Sequence, residues 1–359
     1  MKDMTDPVEV QNKLVSFGKL SNSILVIDGT TLEIALNECY KIFFESTVQA
    51  PGVVCCRCSP TQKTVITEGV KKVTKKRTCA IGDGGNDVGM IQAADVGIGL
   101  EGKEGKQAAL SADYSIIKFN HLNRLLLWHG RLSYKRSAMM AHFVIHRGLI
   151  ISFIQAFFSI VFYDLSISIY TGILILGYTT LYTFFPVFSI VFDEDINVKE
   201  ALKHPILYKI LQKDRELSLK SFFIWLWISI YQAAIIMFGT LYFCENSYSN
   251  VVIITFSALV LSELLNVTTF LHRMSWQAVV SIASSLILYV MTLIFLKKDI
   301  NAPALNFQFL WSVTALTLLS WLPIHFFKVL ITKFSPSEQE KIRMNLQHST
   351  NRKSTVHIL

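Results

Sequence analysis

The sequence predicts a Rossmann-like α/β domain followed by a six-helix all-α transmembrane bundle. Three observations carry that expectation. Short apolar strands alternate with helical stretches as far as Arg136, a glycine loop bearing two carboxylates ends one of those strands, and six long apolar segments follow residue 141. Composition agrees, with 52% hydrophobic residues and a mean hydropathy of +0.42. The expected organisation is a cytosolic domain over 1–136, six membrane helices over 137–332 and a polar, mildly basic, disordered tail over 333–359.

In chain order, Met1 to Leu20 carries no strong signal, and no signal peptide is read before the head. The strands are Ser23 to Ile27, Val53 to Cys58, Thr78 to Ile81, Val96 to Leu100 and Tyr114 to Ile117, a pattern that argues for a parallel sheet covered by helices. After the first strand, Thr30 to Glu33 make a capping box, so Asp28 reads as a strand-to-helix turn residue. After the second, Ser59 is an N-cap, Pro60 fits the first helical position and Gln62 completes a capping box, which puts Lys63 in the first turn. A point charge there can reach a phosphate at the carboxyl edge of the sheet, although a lysine taken alone is usually a solvated surface group.

The third strand runs into Gly82-Asp83-Gly-Gly-Asn86-Asp87. Glycines let the backbone turn sharply, and Asp87 opens a helix whose N-terminus favours negative charge. Such loops also occur as plain turns. With Lys63 beside it, the pattern places Mg²⁺ between Asp83 and Asp87, next to a phosphoryl group. Cys55 and Cys58 lie on an apolar strand without a second ligand pair and read as core cysteines, while Cys244 stands alone and implies no disulfide framework.

His121 to Arg136 reads as a polar-faced helix running into the first span. The six spans are expected near His142 to Tyr163, Tyr170 to Phe192, Ser221 to Phe243, Val251 to Leu271, Trp276 to Leu296 and Phe309 to Thr332. Each has the roughly 20 residues that a bilayer core of about 30 Å requires. Basic residues cluster after the second span (Lys199, Lys203, Lys209, Lys213, Arg215, Lys220) and after the sixth (Lys328, Lys333, Lys341, Arg343, Arg352, Lys353). Both clusters belong on the cytosolic side, which puts the α/β domain and the tail there; Lys297 and Lys298 go against the trend. Trp225, Trp227, Trp276, Trp311 and Trp321 near span ends fit interfacial belts, and the formal charge of +8 is accounted for by the positive-inside bias.

Ionisable groups within spans are functional candidates by default. His146, Arg147 and Glu263 stand out, with Asn266 on the face of Glu263, and bonding among themselves is the plainer alternative. Pro186 should break the second span, and a helix broken at mid-membrane lies either on a substrate path or at a packing kink. The sequon Asn266-Val-Thr268 falls within a span and is discounted.

Together, Cys55-Cys-Arg57-x-Ser59-Pro60-x-Gln62-Lys63 and Ile81-Gly-Asp83-Gly-x-Asn86-Asp87-Val-x-Met-Ile-Gln92 resemble the type IV P-type ATPases, the phospholipid flippases. Val26-Ile-Asp28-Gly, Glu104-Gly-x-Gln107-Ala-Ala, Asp113-Tyr-Ser-Ile and the six apolar segments extend the resemblance along the chain. His129-Gly-Arg-x-Ser-Tyr-Lys-Arg136 and His146-Arg147-Gly are similar to the divergent branch that works without an accessory subunit.

The resemblance implies a haloacid-dehalogenase-like phosphorylation-domain remnant and the last six spans of an ATP-driven translocase. It further implies Mg²⁺ and ATP as cofactors, phospholipid as substrate, no nucleic-acid partner, and a Golgi, endosomal or plasma membrane. Asp83 and Asp87 would hold the metal, and Arg57, Lys63, Asn86 and Asp87 the phosphate or ATP. His146, Arg147, Pro186, Glu263 and Asn266 would lie on the lipid path. The family is phosphorylated on an Asp-Lys-Thr-Gly-Thr motif, which these residues lack, so the chain alone is expected to be inactive. Most flippases have a lysine at the His146-Arg147 position and a double proline at Phe185-Pro186, which leaves the lipid open. Two alternatives remain: a catalytically inactive scaffold or regulator of flippases, and a dehalogenase-type phosphatase using Asp28, against which stands the missing acidic residue two positions later.

Overall fold

The computed structural model describes residues 1–102, 106–163, 167–213, 216–243, 248–272, 274–295, 307–336, 340–342 and 344. Glu104, Cys244, Lys297, Lys298 and most of the expected tail lie outside them. The chain forms two compact units, Met1–Asn123 and Arg124–Leu359.

In the first unit, α1 (Pro7–Gly18) starts where the Asp6 side chain accepts a bond from the Val8 amide and Pro7 supplies a ready-made first turn. It buries Val10, Leu14 and Phe17. β1 (Ile24–Asp28) leads into α2 (Gly29–Asn37), and α3 (Tyr40–Thr47) precedes β2 (Gly52–Cys56). The two strands pair in parallel from Ile24–Gly52 to Asp28–Cys56. Leu25, Ile27, Leu32, Phe43 and Phe44 fill the core beneath them, each contributing about 1.5–3 kcal/mol through burial. The opposite face of the pair leaves Ile24, Val26 and Val54 exposed.

α4 (Pro60–Thr74) ends on Lys75 in the left-handed conformation, and then come β3 (Cys79–Gly82), α5 (Val88–Ala93), β4 (Val96–Leu100), α6 (Gln107–Ser111) and β5 (Tyr114–Ile116). These three strands form a second parallel sheet, in the order β3-β4-β5. The sequence therefore predicts the strands and their direction, but the single sheet is two. Among the described residues each strand pairs with a sequence neighbour, β1 with β2 across α2 and α3, β3 with β4 across α5 and β4 with β5 across α6, while α4, which joins β2 to β3, packs on α5. Apolar strand runs fix which face is buried; they do not fix which edges meet.

Among the described residues six helices are long and apolar enough to cross a membrane, the first beginning just before the second unit and the rest within it: His121–Val161, Gly172–Phe192, Leu219–Phe243, Tyr248–Phe270, Trp276–Ile294 and Phe307–Phe334. All six correspond to expected spans, and the first begins well before His142, with a π-helical stretch at Leu125–Gly130. The fourth is the centre of the bundle, with fifteen of its 23 residues buried. Around it pack Ile150, Ile154, Phe158, Tyr178, Met237 and Leu316.

The second span is broken. It runs as α-helix to Gly177, π-helix over Tyr178–Tyr182, a bend at Thr183, and helix again from Phe184. Pro186 has no amide for the carbonyl four residues back and its ring crowds that turn, so regular α-geometry cannot continue through it.

One end of the bundle is closed by ion pairs just after the second span. Arg131 grips Asp195 bidentately (Nη1–Oδ2 2.8 Å, Nη2–Oδ1 2.6 Å), with Lys135 Nζ 3.0 Å from the same carboxylate. His272 Nδ1 lies 2.7 Å from Asp193 Oδ2.

Candidate functional site

The phosphoryl-type site is assembled from two helix-opening turns. At the start of α4 the capping box is complete: the Gln62 amide donates to Ser59 Oγ (3.2 Å), and the Ser59 amide donates to Gln62 Oε1 (3.0 Å). Gln62 also donates from Nε2 to Gly29 O at 2.9 Å, tying this turn to the end of β1. With the turn fixed, Lys63 projects its Nζ to within 2.7 Å of Asp87 Oδ1. The other Asp87 oxygen accepts from the Asp83 amide at 3.3 Å. Gly82 makes this fold-back possible, since a methyl group there would lie 2.3 Å from Asp87 Cβ.

Asp87 is buried, whereas Asp83 and Asn86 are exposed. Burial pushes the Asp87 carboxyl up, but the hydrogen bond and charge of Lys63 and the amides of Asp83 and Gly84 outweigh it and leave Asp87 below the ordinary carboxylate range. Asp83, Asn86, Asp87 and Lys63 thus share one loop edge. Arg57 is exposed at the end of β2 in the left-handed region, at φ 53°, and lies outside this set of contacts. The donors on the loop are oxygens, two carboxylates and an amide carbonyl, which is the set a hard divalent cation takes with water completing the shell. Asp83 and Asp87 could therefore hold Mg²⁺. Among the described residues no group of three or more His, Cys, Asp or Glu could hold a metal ion. Cys55, pushed up to about 12 by burial and then by Cys58, is an inert core thiol.

Asp28 belongs to the other sheet. Its Oδ1 accepts from the Thr31 amide (3.0 Å) and its Oδ2 from the Asp3 amide (2.8 Å) and Thr30 Oγ1 (3.2 Å), so both oxygens cap backbone and helix. Bonds from Thr31, Asp3 and Thr30 hold it well below the usual carboxylate range.

In the bundle, three of the five expected lipid-path residues meet. His146, Glu263 and Asn266 are fully buried together, with His146 Nε2 3.5 Å from Glu263 Oε1 and 3.2 Å from Asn266 Nδ2. Arg147 turns away, donating from Nη1 to Thr183 Oγ1 (2.9 Å) and Thr179 O (3.3 Å) in the broken part of the second span. Pro186 is buried just beyond that break.

Sequence reasoning missed Ser229 and Gln232, which complete the buried cluster, and Asp193 and Asp195, which close the end of the bundle. A signal existed for the first pair, because Ser229 and Gln232 are polar, three residues apart and so on one face of an otherwise apolar span.

A sequence model of the family described as phospholipid-translocating P-type ATPase, C-terminal, matches residues 109–337. The chain is 49% identical to a probable phospholipid-transporting ATPase IIB of Danio rerio, over 95% of the chain and 30% of that protein. It is 45% identical to the probable phospholipid-transporting ATPase tat-5 of Caenorhabditis elegans, over 93% of the chain and 31% of that protein. With the phospholipid-transporting ATPase NEO1 of Saccharomyces cerevisiae it shares 39% identity, over 95% and 30%. The chain thus spans about 30% of the length of the curated relatives it matches.

Proposed function

The chain belongs to the phospholipid-translocating P-type ATPases, and we propose that it supplies the phosphate-facing part of the phosphorylation domain and six membrane spans of an ATP-driven phospholipid translocase. In that protein an aspartate outside these residues would be phosphorylated from ATP, and phospholipid would move toward the cytosolic leaflet. The observation that carries the reading is the Lys63–Asp87–Asp83 arrangement on adjoining turns.

The chain's own residues have definable tasks in that cycle. Lys63, held in the first turn of α4 by the capping box, would exchange Asp87 for an incoming phosphoryl oxygen, which its three ammonium hydrogens suit. Asp87, kept ionised by its partners, and Asp83, open to solvent, would hold Mg²⁺. Bound there, Mg²⁺ would offset charge on the phosphoryl oxygens. Asn86 would orient the same group through its side-chain amide. Arg57 would reach phosphate or nucleotide from the end of β2, a longer approach than that of Lys63.

In the membrane, Arg147 at the broken second span is the group we assign to an anionic lipid headgroup, with Pro186 maintaining the break. His146, Glu263 and Asn266 would act behind it, fixing the helix that carries Arg147. The basic residues following the second and sixth spans support a cytosolic α/β unit, while a Golgi, endosomal or plasma membrane and independence from an accessory subunit are carried over from the resemblance of His129-Gly-Arg-x-Ser-Tyr-Lys-Arg136 and His146-Arg147-Gly. A phosphatase using Asp28 is less well supported, since that carboxylate is committed to capping α2 and lies in the sheet that lacks Asp83.

The test uses the full-length protein and radiolabelled ATP. Asp83→Asn should abolish Mg²⁺-dependent, acid-stable phosphorylation while the protein stays in membranes; unchanged labelling would overturn the metal assignment. The 359 residues alone should not label, and labelling or phosphatase turnover that depends on Asp28 would establish the other chemistry. An inactive scaffold predicts no activity for the substitution to remove.

A further inference from the structure

The buried cluster in the membrane allows its protons to be counted, because two backbone carbonyls anchor its ends. Ser229 Oγ donates to Trp225 O at 2.8 Å, so toward His146 Nδ1, 2.7 Å away, it can only accept. His146 therefore carries hydrogen on Nδ1. From the other end, Gln232 Nε2 donates to Ser320 O (3.5 Å) and to Asn266 Oδ1 (3.1 Å), which fixes which end of each amide is nitrogen. Asn266 Nδ2 then donates one hydrogen to Gln232 Oε1 (3.0 Å) and points the other at His146 Nε2 (3.2 Å). Nε2 is an acceptor, so the imidazole is neutral.

Glu263 faces this lone pair, with Oε1 3.5 Å from Nε2. A carboxylate there would set acceptor against acceptor in a dry interior. It would also be charged without an ion-pair partner, at a cost of several kcal/mol. An imidazolium–carboxylate pair would close to roughly 2.7–2.9 Å, well inside the 3.5 Å between Glu263 Oε1 and His146 Nε2. The titratable groups facing Glu263 are His146 on the first span and Tyr178 on the second, whose hydroxyl is 3.4 Å from Oε1. Arg147 is the charged neighbour and is bonded to Thr179 and Thr183. The second carboxyl oxygen, Oε2, is buried without a partner among the described residues.

We infer that Glu263 is a proton-binding site within the membrane, carrying one proton on its carboxyl group and sharing with the Asn266 amide hydrogen the single Nε2 lone pair of neutral His146. The ligand is a proton rather than a metal ion, because one carboxyl and one imidazole are the only strong ligands in the cluster, and its amides and hydroxyls are bonded to one another, to backbone carbonyls or, from Tyr178, to Glu263 itself. One proton from water enters as this packing forms, and it returns to water when the helices part enough to hydrate Oε2. The inference does not depend on lipid transport.

The test uses the 359-residue chain in lipid nanodiscs, followed by infrared spectroscopy with ¹³C-carboxyl glutamate. Glu263 is the one fully buried glutamate among the described residues, so isotope labelling assigns the signal without a variant. A protonated-carboxyl band should be present at neutral pH, shift on labelling and vanish in Glu263→Gln. A labelled chain showing carboxylate bands alone would overturn the proposal. A second readout on the same wild-type chain is ¹⁵N NMR of histidine, in which a buried neutral imidazole protonated on Nδ1 is expected. A buried imidazolium instead would mean an ion pair and sink the idea, whether or not the variant folds.

Discussion

The two units satisfy their polar groups over different ranges of sequence. In the α/β unit the helix-opening turns close on near neighbours, Ser59 with Gln62, Asp28 with Thr31 and Asp83 with Asp87, and its longer contacts, Lys63 to Asp87 and Gln62 to Gly29, span 24 and 33 positions. In the membrane unit they are distant, with His146 bonded to Ser229 across 83 positions and to Asn266 across 120, and Arg131 to Asp195 across 64. Local pairs form as soon as a turn forms, and each stands nearly alone. Distant pairs form only when several helices have met, so each depends on the whole bundle and leaves a buried group stranded when it is lost.

The sharpest break of this contrast should come at Arg131. Arg131→Ala leaves Asp195 buried against Lys135 alone, and the expected cost is about 3–5 kcal/mol, read as a large drop in thermal stability of the chain in detergent. A loss below about 1 kcal/mol would place this pair with exposed ones and remove the contrast.

Gly82→Ala tests steric closeness in the local unit. A methyl 2.3 Å from Asp87 Cβ must push the loop aside, at about 1–3 kcal/mol, and Lys63 should lose its hold on Asp87, visible as a changed Lys63 ammonium signal by NMR. Ser59→Ala should cost about 1 kcal/mol, read as a lower midpoint in thermal unfolding of the chain; an unchanged midpoint would deny the cap its part in holding α4.

The smallest effect concerns pH. Asp87 lies below its ordinary range in the folded state, so its contribution is present above the unfolded value and is lost as pH falls through the folded one. Lys63→Met should flatten this acid-side loss, by less than about 1 kcal/mol because Lys63 is partly solvated. Parallel melting curves for both proteins from neutral pH downward would settle it.

The same contrast explains what was legible in the sequence. The capping box at Ser59 and the turn at Asp83–Asp87 were readable because each is written within three or four residues; the capping box expected over Thr30–Glu33 was not formed, because Asp28 itself caps α2 by accepting from the Thr31 amide and Thr30 lies inside the helix. The six spans were readable because hydropathy needs no partner. The division into two sheets was not, since β1 and β3 have similar apolar runs and pairing is decided by packing. Nor was the completion of the buried cluster, where Ser229 and Gln232 count as minor interruptions of an apolar helix until Asn266 and His146 are brought beside them. The helix over His121 to Arg136 was also readable as a run into the first span, and it does continue into it; what sequence did not show is the π-helical stretch at Leu125–Gly130.

The uncovered face of β1 and β2 has a practical consequence for anyone handling the α/β unit by itself. Ile24, Val26 and Val54 line one side of a two-stranded ribbon, and Ile24-Leu-Val-Ile and Gly52-Val-Val-Cys-Cys carry no charge to repel a second copy. Such ribbons recruit their own kind. Expressed by itself, the unit should be sticky and concentration-limited, and a lysine in place of Val26 or Val54 is the gatekeeper that would keep it in solution.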